Sequence, residues 1–174
     1  MTEEKPAAVT LVAVDDTVLA ELVRVATAEA AADEVTPRGP AGGPDWTPER
    51  VAWLRRFHTE RRTGLDGPAG EATWAVLVDG RVAGSVRLQR TVDPAVLETG
   101  AWLARAQRGR GVGRAALTAV LQQAALAGAT AVRADTTAGN AAALALLDRA
   151  GFVLADADAE QGVHARLPLG PSRG

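Results

Sequence analysis

The chain has 174 residues, 47% of them hydrophobic and 23% charged, with no cysteine and a formal net charge of −2. That length supports one domain with a full core, and the lack of cysteine excludes disulfides, thiolate metal sites and a cysteine nucleophile. Two widely separated histidines do not suggest a zinc centre, a pI near 5.7 with 3% aromatic residues argues against nucleic acid as the main partner, and no window reaches the roughly 18 consecutive apolar residues of a membrane span.

Residues 1–5 are acidic rather than basic and then apolar, so a soluble, cytoplasmic chain is expected. Charge is unevenly spread: residues 1–49 carry ten Asp or Glu against three Lys or Arg. An acidic N-terminal third can attract a cationic substrate or simply solvate helix surfaces, and composition leaves both open.

Residues 8–14 read as a first strand, after which Asp15 and Asp16 offer oxygens to cap a helix reaching about Ala31. Its apolar face is Leu19, Leu22, Val23, Ala26 and Ala30. Proline and glycine then fill residues 33–45, which predicts a long exposed loop without regular structure, a common setting for lids and binding loops. Thr47, Pro48 and Glu49 combine a cap, a first-turn proline and an acid at the positive end of a second helix. Val51, Leu54 and Phe57 form its apolar face; Arg55, Arg56, Arg61 and Arg62 read as a solvated surface.

Residues 74–78 alternate, Asp79-Gly80 is a two-residue turn, and Val82, Gly84, Val86 and Leu88 mark the returning strand. A strand over 96–104 precedes Arg108-Gly109-Arg110-Gly111-Val112-Gly113-Arg114, which runs into a helix over about 112–127 with Arg114, Thr118 and Gln122 as its polar stripe. Residues 131–135 make a strand parallel to the one before that helix, because a right-handed crossover joins them. Residues 140–150 form an alanine- and leucine-rich helix stopped by Gly151, and 152–154 with 163–167 close the chain as a hairpin. One domain over 1–167 and a disordered tail over 168–174 are expected.

Three glycines and three arginines just before a helix let the loop fold tightly and point backbone N–H groups and the positive helix end at one spot, which suits a pyrophosphate. Gly111, Gly113 and Ala116 also fit the dinucleotide pattern G-x-G-x-x-A, with Asp135 at about the expected distance, so an NAD site is a minor alternative. Three features oppose it: the antiparallel hairpin before the loop, the gap between strand and loop, and the single strand-helix unit that follows. A purely structural glycine loop stays open beside the phosphate site.

Two motifs resemble those of the GCN5-related N-acetyltransferases (GNAT), which use acetyl-CoA. Arg108, Gly111 and Gly113 meet the pattern [Q/R]-x-x-G-x-[G/A]; Asn140, Ala143, Leu147, Gly151 and Phe152 meet N-x-x-[A/S]-x-x-x-[Y/L]-x-x-x-G-F. The element order over 8–167 also resembles the family's, and residues 97–103 look most like its Rim-type branch, whose named members acetylate ribosomal-protein N-termini. The resemblance implies an α/β (α+β) fold: a twisted mixed sheet of six to seven strands, helices on both faces and a splayed parallel strand pair. It implies that the pantetheine arm of acetyl-CoA pairs with the backbone near Ala101 and Leu103, that amides of Arg108, Gly109, Arg110, Gly111, Val112, Gly113 and Arg114 hold the pyrophosphate, and that Arg108 and Arg110 add charge. Asn140, with Ala143, is expected on the CoA arm, although Asn140 is equally placed to cap a helix.

Acetyl transfer needs a neutral amine, a polarised thioester and a way for the thiolate to leave. Many relatives have a tyrosine as acid where this chain has Leu147, and this chain has no tyrosine. A thiol pKa of roughly 8.5 makes departure as the anion tolerable near neutral pH. Glu98, on the strand feeding the loop, is the expected base, with a solvent-facing strand carboxylate as the alternative. Trp46 and Trp102 either wall the acceptor site or belong to the core; Asp135 and Thr136, with Thr137, are further candidates for substrate contact, and His58 and His164 read as packing or surface residues. The expectation is an acetyl-CoA-dependent N-acetyltransferase acting on a primary amine, small-molecule or protein N-terminal, by direct transfer, with no metal, nucleic acid or membrane partner. A non-catalytic acyl-CoA-binding module is the rival. Dimers are common among similar enzymes, and the sequence itself encodes no oligomeric state.

Overall fold

A computed structural model describes residues 7–37, 42–156 and 162–170. The acidic start at 1–5, residues 38–41 of the proline-glycine segment and residues 171–174 of the expected tail lie outside the described residues. Seven strands form one sheet in the order β1-β2-β3-β4-β5-β7-β6: β1 Val9–Ala13, β2 Glu71–Val78, β3 Arg81–Arg90, β4 Val96–Leu103, β5 Ala131–Thr137, β6 Val153–Asp156 and β7 Gly162–Pro168. Only β4 and β5 run parallel; every other neighbour pair is antiparallel. This is the expected mixed sheet, and one parallel pair cannot build the doubly wound order of a dinucleotide enzyme.

Period-two alternation sorts the side chains onto two faces. Val76, Val86, Leu88, Leu97 and Val132 pack with α4 (Val112–Leu126) and with Leu147 of α5 (Ala141–Arg149). On the other face Ala75, Leu77 and Trp102 pack with α1 (Asp16–Glu29) and α3 (Pro48–Glu60). The helices start as their caps dictate: Asp15 Oδ1 accepts from Val18 N–H, and Thr47 Oγ1 from Arg50 N–H ahead of Pro48. Asp79 and Gly80, with φ of 48° and 79°, make the left-handed two-residue turn between β2 and β3. No helix among the described residues is long and apolar enough to cross a membrane.

Two local expectations change. Residues 33–45 are not wholly irregular, because α2 (Ala32–Val35) adds one turn there, with Glu34 Oε2 accepting from Ala31 N–H. Proline and glycine density obscured this short carboxylate-capped turn. Pro168 and Leu169, placed in the expected tail, are instead part of the fold: Pro168 pairs with Ala131 and Leu169 N–H donates to Thr130 O.

Candidate active site

The parallel register of β4 and β5 runs only from Val96↔Ala131 to Thr99↔Ala134. Beyond it β4 stays paired with β3 as far as Leu103, and β5 with β7 as far as Thr137. The strands therefore part. Ala104 N–H donates to Ala83 O on the β3 side, while Ala95 O accepts from Ala131 N–H on the β5 side. Alternation between those points turns the backbone groups of Ala101 and Leu103 towards the gap. Both were expected there. The carbonyl of Leu103 is already engaged by Arg108, which donates from Nε and Nη2 at 3.1 and 3.0 Å.

The loop after β4 leads into α4 beside this opened strand edge. Gly109 and Gly111 take φ of 72° and 79°, a left-handed geometry that glycine adopts without the penalty other residues meet. Gly111 is the N-cap of α4 and no side chain caps that end. Among the described residues nothing accepts from the N–H groups of Gly109, Arg110, Gly111, Val112, Gly113 or Arg114. Six unsatisfied donors at a helix N-terminus, flanked by exposed Arg110 and Arg114, make an anion cradle. The absent Cβ of Gly113 faces Leu103 and Leu146 side chains at 3.5 Å, where the helix meets the cleft wall. The Arg108 guanidinium, expected to add charge at the pyrophosphate, binds Leu103 O and Glu34 Oε2, each at 3.1 Å.

On the α1/α3 face a pocket of about 420 Å³ is lined by Trp53, Leu54 and Phe57 of α3, Glu34 and Val35 of α2, and Gly100, Ala101 and Trp102 of β4. Its floor is polar: His58, Glu71, Ser85, Arg87 and Gln89. It thus reaches the stretch of β4 that also borders the cleft. Trp102 lines this pocket and also packs with the α1/α3 cluster. Trp46 does not line it; it packs in the α1/α3 cluster, and its Nε1–H donates to Ala30 O at 2.9 Å.

Glu98, the expected base, is held by two arginines. Its Oε1 accepts from Arg87 Nη2 at 2.8 Å, and its Oε2 from Arg133 Nε and Nη2 at 3.1 and 2.7 Å. Burial works to raise its pKa, but the hydrogen bonds and charges of Arg87 and Arg133 together outweigh it and hold the carboxyl below its ordinary value. With both oxygens held and the pKa lowered, Glu98 is a poor proton acceptor. It belongs to a chain of charges, Arg61–Glu71–Arg87–Glu98–Arg133, that runs from α3 across four strands. Glu71, 4% exposed, takes Arg61 Nε at 2.5 Å and lies 3.5 Å from Arg87 Nη1. Arg61 and Arg62 are accordingly not a simple solvated surface: Arg61 also covers the Phe57 ring at 3.9 Å, and Arg62 binds Val14 O and Asp16. The sequence signal for this chain is charge at 71 and 87, on the strand face shared with Ala75 four residues on and Ser85 two residues back; which partners they meet depends on sheet register.

The remaining expected residues sit elsewhere. Asn140 caps α5, its Oδ1 accepting from Ala143 N–H at 3.1 Å, which is the helix-cap reading. Asp135 pairs with His164 Nδ1 at 2.6 Å on the exposed side of β5 and β7, with Thr136 next to it; none of the three lines the pocket. His58, 1% exposed, bonds Thr73 Oγ1 through Nδ1 at 3.0 Å; burial first, then the charges of Arg61 and Arg62, push its pKa down to about 4. Leu147 is buried against α4.

Comparison with known proteins agrees with this arrangement. Residues 43–152 match the profile of the acetyltransferase (GNAT) family. The fold is similar to that of the GNAT domain of PAT from S. lividans (20% identity, 94% of this chain and 90% of that one, TM-score 0.71). It is also similar to Mycobacterium smegmatis RimJ in complex with CoA-disulfide (20%, 92% and 81%, TM-score 0.72) and to YncA from Salmonella typhimurium with its cofactor acetyl-CoA (19%, 96% and 97%, TM-score 0.66). No curated protein sequence matches the chain.

Proposed function

Because the chain belongs to the GNAT family of acetyltransferases, we propose that it transfers the acetyl group of acetyl-CoA to a small primary amine. The observation that carries this reading is the loss of β4/β5 pairing after Thr99 and Ala134, with the uncapped N-terminus of α4 beside the opened edge. An extended amide-bearing arm fits against the N–H and C=O of Ala101 and the N–H of Leu103. The free amides of residues 109–114 suit a pyrophosphate, with Arg110 and Arg114 adding charge. Asn140 and Ala143 border the far strand end. A pocket of about 420 Å³ with aromatic walls favours a small acceptor over a folded protein's N-terminus.

Acetyl-CoA, when bound, supplies the thioester and a leaving thiolate. The chain's own contribution is positioning: the β4 edge fixes the donor, Trp53, Phe57 and Trp102 orient the amine, and a backbone N–H of the open β4 edge polarises the carbonyl. The amine nitrogen bonds the carbonyl carbon, the carbon–sulfur bond breaks, and the amine proton passes to water. Leu147 is buried and aliphatic and supplies no proton; a thiol of ordinary pKa leaves as the anion or takes its proton from water or another side chain. The test is release of free thiol from acetyl-CoA across a panel of small amines. Turnover with at least one of them supports the reading; tight acetyl-CoA binding without turnover on any amine or N-terminal peptide would favour an acyl-CoA-binding module.

A further inference from the structure

The donor loop and the acceptor pocket are tied together by acids of the α1–α2 segment. Glu29 Oε2 accepts from Ala106 N–H at 3.3 Å, and Glu34 Oε2 pairs with Arg108 Nη2 at 3.1 Å. Glu34 also lines the pocket and holds Ala31 N–H. Arg108 in turn binds the carbonyl of Leu103, on the open β4 edge. One guanidinium thus joins the pocket wall, the cleft edge and the phosphate loop, while the six loop amides beside it are unpaired.

We propose that Glu34 is a positioning residue that holds Arg108 away from the loop, so that binding of CoA phosphates and release of the α2 wall are coupled. The inference rests on the donor site proposed above. Two acceptors compete for one cation: the Glu34 carboxylate, single and about two-fifths exposed, and a pyrophosphate, which carries more charge and more oxygens within reach of a flexible side chain. When Arg108 turns to the phosphates, Glu34 keeps Ala31 N–H but loses its guanidinium, and the pocket wall gains a carboxylate without an ion-pair partner facing the incoming cationic amine. Linkage makes the effect reciprocal: an ammonium that pairs with Glu34 frees Arg108 and tightens donor binding.

The test is a double-mutant cycle on CoA affinity, measured by calorimetry at low ionic strength on the full chain: wild type, Glu34→Gln, Arg108→Gln and the double variant. Removing the competitor strengthens CoA binding in Glu34→Gln by about two- to fivefold, the range an exposed ion pair commands. In the Arg108→Gln background the same change has no effect. Hydrogen exchange supplies a second readout: CoA speeds exchange of residues 32–36 in wild type and leaves it unchanged in Arg108→Gln. If Glu34→Gln leaves CoA affinity unchanged, or weakens it equally in both backgrounds with a lowered Tm, Glu34 is only structural and the proposal fails. Wild type that does not bind CoA at all overturns the donor site itself, an outcome distinct from binding that ignores Glu34.

Discussion

Glu98 and Arg133 face each other across the parallel seam of β4 and β5, one position before the register ends at Thr99 and Ala134. The ion pair is a clasp at the base of the cleft. Arg87 extends it sideways to Glu71, so the polar floor of the pocket is braced by charge from the end of α3 to β5.

Replacing Glu98 by Gln tests that role. Loss of a general base typically costs 10²–10⁴-fold; loss of a clasp costs stability instead. Glu98→Gln is expected to keep kcat within about tenfold of wild type and to leave the shape of the pH–rate profile unaltered. Stability falls by about 1–2 kcal/mol, since Arg87 and Arg133 are part-exposed and shed much of the penalty to water. The sign in pH follows from a lowered folded-state pKa: the contribution is present above the ordinary glutamate value and is lost as pH falls through the folded one. Denaturant melts between pH 3 and 6 therefore lose a wild-type increment that Glu98→Gln lacks.

His58 sets a second pH dependence. The folded protein keeps it neutral down to about pH 4, whereas the unfolded chain takes up a proton near 6.5. The unfolded state binds more protons between those values, so stability rises with pH across that window and is complete above it. The whole increment is about 3 kcal/mol. A His58→Gln variant, which can still meet Thr73, shows a flatter stability curve from pH 4 to 6.5 in denaturant melts, and an equal slope in both proteins would contradict the assignment.

The glycines of the loop separate backbone strain from packing. Gly111→Ala forces alanine into φ near 79°, costing about 1–2 kcal/mol, or roughly 2–8 °C of Tm for a chain of this size. It also tilts the amides of the cradle, so CoA affinity falls with it. Gly113→Ala meets its neighbours at ordinary contact distance and keeps its Tm within a degree or two. Calorimetric scans of the two variants side by side decide the matter.

Trp53 stacks on Phe57 with ring centroids 4.8 Å apart and lines the proposed acceptor pocket. Trp53→Ala removes that wall without touching the cleft. The acceptor KM rises about three- to tenfold while the acetyl-CoA KM stays constant. A matched rise in both would mean that the pocket and the cleft are not separate sites.

Much of the fold was legible because its signals are local. Asp15, Thr47-Pro48 and Asp79-Gly80 act on the backbone within a few residues, and the glycine loop with the Asn140 to Phe152 pattern carried the resemblance to the family that the profile match shows. The site's electrostatics were not legible in the same way, because Glu71, Arg87, Glu98 and Arg133 meet through sheet register. A one-residue shift in any strand would point them to opposite faces. The same holds for Trp46: its indole N–H finds Ala30 O through the path of a loop, and neither periodicity nor composition reports that path.

Gly84 shows how tightly this register is kept. It sits next to a bulge between β2 and β3, and a Cβ there would collide with the carbonyl oxygen of Trp102 across the strand pair. The backbone of β3 therefore lies close under the section of β4 whose other edge is open. That section behaves as a supported half-strand. On the closed side its even-numbered amides are locked to β3; on the open side the amides of Ala101 and Leu103 have only solvent. In deuterated buffer these neighbours should separate by rate, with Trp102 and Ala104 slow and Ala101 and Leu103 fast, giving an alternating imprint of the proposed donor site along four consecutive peptide units.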